Sequence, residues 1–184
     1  MKLHYADDGP RDAPVLLFAG SLGSTLAMWE PQLTSLTLCC TTPHFADKAP
    51  WDERIAAVEA GGTAGIADAV VSRWFTTEWA KVHPDVVTAL RNQIADTPDT
   101  GYLGCCRAIA AWDHRERLAA VAVPTLVIGG SDDPSTPVDP HALTLVDGIP
   151  GARLEVLPGA HLATIESALA ASELISGHAA ITSS

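Results

Sequence analysis

Short apolar runs closed by glycine or proline alternate along this chain with longer stretches of three-to-four-residue periodicity. Residues 14–19 (Pro-Val-Leu-Leu-Phe-Ala, closed by Gly20), 36–40 (Leu-Thr-Leu-Cys-Cys), 123–129 and 153–157 are the apolar runs. Their near-continuous apolarity predicts strands buried on both faces, as in a parallel sheet covered by helices. An amphipathic piece around Leu3 to Tyr5 adds a candidate edge strand. Between the second and third runs, roughly residues 51–118 carry helical spacing: Ile55 and Val58, then Ile66, Val70 and Trp74, then Val86, Leu90 and Ile94. Turn signals at Gly61-Gly62, His83-Pro84 and Asp96-Thr97-Pro98 divide this stretch into about four short helices. From pattern alone it is an ordinary helical layer, although a helical insertion between two strands also has the form of a lid over a pocket. Thr164–Leu174 reads as a final helix packed on the sheet. The prediction is an α/β fold with a mainly parallel sheet.

A length of 184 residues fits one domain. Eleven basic against 22 acidic residues give a net charge of −11, with the positive residues scattered, so there is no electrostatic footprint for nucleic acid. The same charge repels anionic substrates, which would therefore need a local cationic clamp. The N-terminal residues contain no apolar leader segment and no stretch approaches the ~18 apolar residues of a membrane span. The expectation is a cytoplasmic protein that does not engage a membrane. Two adjacent cysteine pairs, Cys39-Cys40 and Cys105-Cys106, match neither a disulfide framework nor a zinc knuckle and read as reduced core thiols.

The third run ends in Gly-Ser-Asp-Asp-Pro-Ser-Thr-Pro, residues 130–137, which puts Asp133 just past the carboxyl end of a buried strand, where open α/β sheets build their sites. The fourth is followed by Leu157-Pro158-Gly159-Ala160-His161, so His161 falls on a tight loop at the same edge. An acid and then a histidine after consecutive parallel strands is the order of the last two triad members in α/β-hydrolases. Turn formation before Pro134 and an unpartnered loop histidine are the plainer alternatives. His4, His44, His83, His114, His141 and His178 show no metal-ligand spacing, so no metal is expected. The loop Phe18-Ala19-Gly20-Ser21-Leu22-Gly23-Ser24 has two readings beyond a plain glycine turn. Ser21 and Leu22 could offer backbone N–H groups to an oxyanion, or Ser21 could stand as a nucleophile in an Ala-x-Ser-x-Gly variant of the elbow.

Several segments together resemble the 3-oxoadipate enol-lactone hydrolases of the α/β-hydrolase superfamily. They are Leu16–Gly23 with Met28-Trp29-Glu30-Pro31-Gln32-Leu33, Thr42-Pro43-His44-Phe45, Trp51-Asp52-Glu53-Arg54 and Arg73-Trp74-Phe75. Gly101-Tyr102 with Gly104-Cys105-Cys106, Ala111-Trp112-Asp113, Asp132-Asp133-Pro134 and Pro158-Gly159 with His161 complete the set. The resemblance implies a hydrolase core over residues 1–50 and 119–184 and a helical lid over 51–118. It implies His161 as general base oriented by Asp133, Ser21 and Leu22 at the oxyanion hole, and Arg73 and Trp74 holding a substrate carboxylate, since a guanidinium offers a planar fork of donors. The implied reaction is opening of the small-molecule enol-lactone to 3-oxoadipate in the β-ketoadipate pathway of aromatic catabolism, with no cofactor.

One departure stands against that pattern. Between Leu33 and Leu38 the family would insert two strands and two helices, on the order of 55–75 residues by ordinary element lengths, including the Gly-x-Ser-x-Gly elbow. No Gly-x-Ser-x-Gly occurs anywhere in the sequence. Three readings follow: an enol-lactone hydrolase by lineage, a non-catalytic remnant of that family carrying an internal deletion, or a hydrolase with Ser21 as relocated nucleophile.

Overall fold

The structure, a computed structural model, describes residues 34–181. The expected strands at Leu3–Tyr5 and 14–19, and the loop with Ser21 and Leu22, lie outside the described residues. Three strands are present among those described: β1 (Leu36–Cys39), β2 (Thr125–Gly130) and β3 (Arg153–Leu157). They pair in parallel in the order β1-β2-β3, with Leu36 opposite Thr125 and Leu126 opposite Arg153. This is an α/β fold with a parallel sheet and a helical segment inserted between β1 and β2.

β2 is buried at every residue, and its two faces serve two cores. Leu126 and Ile128 pack with Leu157, Ala163 and Ala171 on one side, whereas Val127 packs with Leu118, Ala142, Leu145 and Ile149 on the other. The period-2 alternation of a strand explains that division, and burial of each large aliphatic side chain contributes about 1.5–3 kcal/mol. The first face is covered by α6 (Ala163–Glu166) and α7 (Ala168–Ile181), the second by a 3-10 turn (Arg115–Ala120) and α5 (Leu143–Gly148). The expected single helix at Thr164–Leu174 is thus two helices, broken at Ser167, whose hydroxyl donates to the Pro158 carbonyl at 2.7 Å. Buried His178 on α7 has Nε2 3.1 Å from the Leu36 carbonyl and 3.2 Å from that of Pro124. Two carbonyls demand a donor, so Nε2 carries the proton and ties the helix to the start of both strands.

The inserted segment holds α1 (Ala49–Val71), α2 (Thr77–Val82), α3 (Pro84–Ala95) and α4 (Asp99–Ala110). Val58, Ile66, Val70, Phe75 and Ile94 form its own core, with helical spacing on α1. The expected break at Gly61-Gly62 is a kink inside α1 rather than an end. Gly62 takes φ 68° and ψ 177°, and the helix restarts because Asp99 accepts from the Thr63 N–H at 2.8 Å. The breaks at His83-Pro84 and around Asp96–Pro98 are true helix boundaries.

The carboxyl edge of the sheet is set by how closely two loops pass. A Cβ on Gly130 would lie 2.3 Å from the Ala160 carbonyl oxygen and 2.7 Å from that of Gly159. Backbone bonds lock the approach: Ser131 N–H to Leu157 O and Asp132 N–H to Gly159 O, both at 2.9 Å. A Gly130→Ala variant must push the loops apart, and we expect a loss of roughly 1–3 kcal/mol in urea unfolding. A variant as stable as wild type would show that the approach is looser than this geometry requires.

Candidate active site

Asp133 lies in the turn after β2, and its side chain is fully buried. Four donors converge on its carboxylate. Oδ1 accepts from Ser135 N–H at 2.7 Å and Thr136 N–H at 3.0 Å, and Oδ2 accepts from the Thr136 hydroxyl at 2.7 Å and from His161 Nδ1 at 2.9 Å. Burial alone would raise its pKa, but the His161 hydrogen bond and charge, with the Thr136 donors, outweigh it and hold the carboxyl below its usual value near 3.8. An ionised carboxylate only accepts, so Nδ1 of His161 carries the proton. The turn alternative for Asp133 is therefore also real: the same carboxylate closes the Ser135-Thr136 turn and orients the histidine.

His161 follows a turn that only glycine makes easily, with Gly159 at φ 135°. Its side chain is 26% exposed, facing a cleft of about 310 Å³. Trp51, Arg54, Arg73, Trp74 and Trp112 share that lining with His161. Asp133, His161, Arg73 and Trp74, singled out in the sequence, are thus brought to one place; Ser21 and Leu22 lie outside the described residues. The Arg73 guanidinium has no hydrogen-bond or ion-pair partner among the described residues, whose salt bridges use Arg91, Arg107 and Arg115.

Two lining groups were not singled out as site residues. Arg54 sits 4.9 Å over the Trp51 ring, one helical turn along α1, and the Trp51-Asp52-Glu53-Arg54 spacing carried that signal. The Trp112 indole N–H is buried with no partner among the described residues. Nothing in the sequence distinguishes such a tryptophan from one in a core. Cys40 also lines the cleft, with φ 44°, but burial and then the charge of Asp133 push its thiol up to about 12. That shift disfavours the thiolate, the form in which a cysteine acts as a nucleophile. All four cysteines are free; Cys106 is buried and the others are half-buried rather than core. Among the described residues no three His, Cys, Asp or Glu side chains gather to hold a metal, and no helix is long and apolar enough to cross a membrane.

Because Asp133 is depressed on folding, its contribution is present above the unfolded pKa, near 3.9, and is lost as pH falls through the lower folded value. We expect Asp133→Asn to cost roughly 1–3 kcal/mol at pH 7 in urea unfolding, with the gap to wild type closing below about pH 4. A gap that does not depend on pH would show that the carboxylate's charge is not what the site uses.

No protein-family model matches the chain. Curated relatives do. The chain is 32% identical to 3-oxoadipate enol-lactonase 1 of Acinetobacter baylyi, over 79% of this chain and 56% of the relative. It is 31% identical to 3-oxoadipate enol-lactonase 2 of the same organism, over 80% of this chain and 55% of the relative. Among solved structures, the enol-lactonase from Burkholderia xenovorans superposes with a TM-score of 0.79 at 28% identity, covering 84% of this chain and 60% of that one. The chain spans a little over half the length of the curated relatives it matches. It belongs to the α/β-hydrolase superfamily, and its curated homologues are 3-oxoadipate enol-lactonases.

Proposed function

We propose that the cleft binds a small lactone bearing a carboxylate, of the 3-oxoadipate enol-lactone type, and that His161 acts as general base in opening it. The observation that carries this reading is the 2.9 Å bond from His161 Nδ1 to the buried Asp133 carboxylate, with the imidazole facing a cleft that also contains two guanidinium groups. In this reading residues 51–118 cover the cleft and residues 1–50 and 119–184 form the hydrolase core. Arg73 and Arg54 attract the substrate carboxylate, with Trp74 and Trp51 bounding the ring.

The chemistry assigned to the pair is as follows. His161 Nε2 takes the proton of an attacking O–H as its oxygen bonds to the lactone carbonyl carbon. The ring C–O bond breaks, and the enolate oxygen leaving it recovers a proton from the imidazolium. The enol then tautomerises to the 3-oxo acid. The attacking group is water, or Ser21 followed by water in a second step. Asp133 stabilises the imidazolium throughout and keeps Nδ1 protonated.

A second reading, binding without turnover, is favoured by the absence of Gly-x-Ser-x-Gly from the sequence. One assay separates them: enol-lactone opening followed by absorbance, beside calorimetric titration with 3-oxoadipate. The hydrolase reading expects turnover above the residual of about 10³–10⁴ over the uncatalysed rate that binding alone leaves when a triad is disabled, falling to that residual in His161→Ala. Arg54→Ala and Arg73→Ala should raise KM more than they lower kcat. Titratable binding with no turnover in wild type would replace hydrolysis by the second reading. A serine-directed fluorophosphonate that adds one mass equivalent at Ser21 would identify that side chain as the attacking group.

A further inference from the structure

We infer that Glu166 is a positioning residue that holds the His161 loop and the Arg73-Trp74 segment in register, so that the grip on the substrate and the alignment of the base are mechanically one. This inference rests on the reading of the site given above. Glu166 itself touches neither the cleft nor the imidazole.

Its carboxyl group joins the loop six residues before it to Thr76, 90 residues away along the chain. Oε1 accepts from Ala160 N–H at 2.7 Å, the residue before His161, and from Thr76 N–H at 3.1 Å, two residues past Trp74. Oε2 accepts from the Thr76 hydroxyl. A second tie runs beside it: Leu162 N–H, on the other side of His161, donates to the Trp74 carbonyl at 2.8 Å. His161 is therefore flanked on both sides by residues bonded to the segment that carries Arg73 and Trp74. Thr76 is also the N-cap of α2, its hydroxyl accepting from Trp79 N–H at 3.4 Å, so the strut ends on a helix rather than on a free loop. At the other end, a Cβ on Gly159 would meet the Glu166 Cβ at 3.1 Å, which leaves the turn closed on the glutamate.

The bonds are charge-assisted and shielded, the kind that fixes geometry rather than merely satisfying donors. Cutting them frees the His161 loop to move against Arg73 and Trp74. A misplacement near 1 Å in a catalytic constellation costs on the order of 10²-fold in rate. The neutral isostere retains most of the arrangement: in Glu166→Gln the amide oxygen keeps both backbone donors, and the amide N–H turns to Thr76, whose hydroxyl then accepts.

The test follows the His161 imidazole Cε1–H resonance in protein with ¹³C-labelled histidine, assigned through His161→Ala, in wild type, Glu166→Ala, Glu166→Gln, Thr76→Val and the Glu166→Ala/Thr76→Val double variant. The expected result is a shift in Glu166→Ala and in Thr76→Val, no further shift in the double beyond that of Glu166→Ala, and a Glu166→Gln position nearest to wild type. In the lactone assay kcat/KM should fall tenfold or more in Glu166→Ala and recover most of that in Glu166→Gln. A His161 resonance unmoved by Glu166→Ala while thermal stability falls, or shifts that add in the double variant, would overturn the inference and leave Glu166 a purely structural residue. If Glu166→Ala does not fold, Thr76→Val decides: an unmoved His161 signal overturns the coupling. Absence of turnover in wild type sinks the hydrolase reading alone, because the resonance reports the coupling without it.

Discussion

The carboxyl edge of this sheet depends on one close approach, that of the Gly130 Cα to the backbone of Gly159 and Ala160. Any side chain at Gly130 would occupy the space the second loop fills. With the loops locked there by two backbone hydrogen bonds, Asp133 and His161 stand 2.9 Å apart without either side chain having to search for the other. The pair is preorganised by main-chain packing, and the remaining donors to Asp133 come from its own turn. Three of the four donors to the acid therefore come from its own turn, so its place does not depend on the histidine alone.

Electrostatics act on two scales in this molecule. At long range, a net charge of −11 disfavours approach of an anion, and salt screens that effect beyond about 10 Å. Within the cleft, Arg54 and Arg73 dominate, since near charges in a partly desolvated site outweigh distant ones. The half-buried thiol of Cys40, held protonated by desolvation and by Asp133, adds no negative charge of its own. On the proposed reading, a ligand with one carboxylate at the guanidinium end and an electrophilic carbonyl at the imidazole end fits this distribution better than a neutral one does.

Much of the architecture was legible because burial writes itself into composition. The run at 153–157 coincides with β3, and β2 runs from Thr125 to Gly130 where 123–129 was expected, since Pro124 cannot donate to the ladder and delays its start. His83-Pro84 ends α2 and opens α3 because proline suits the first helical turn and not the interior. Gly61-Gly62 was less readable: whether glycine ends a helix or only kinks it depends on Asp99, 36 residues away, which caps the restart. Asp133 and His161 could be found from strand context and chain order. Arg54 was visible as a motif residue, but which of several arginines faces the cleft is a tertiary fact. The Trp112 N–H, without a partner among the described residues, and the Glu166 strut leave no local trace, because both are defined by what lies across the cleft or the loop.

The acid and the base of this site need only two adjacent parallel strands and the turns that follow them. Among the described residues, the bonds that orient Asp133 and His161 lie between Gly130 and Thr136 or between Leu157 and Glu166, with two anchors outside, at Thr76 and at the Trp74 carbonyl. A nucleophile has no such local origin: in the fold it must arrive from another strand end and be aimed by different contacts. The two halves of a triad therefore differ in how much of the protein they require. The Asp133–His161 pair is present in a chain that spans a little over half of its relatives, because the pair is built from neighbouring backbone. On the proposed reading, what the imidazole acts on is set by whichever O–H the cleft admits to Nε2, and the geometry of the pair is indifferent to whether it comes from a side chain or from water.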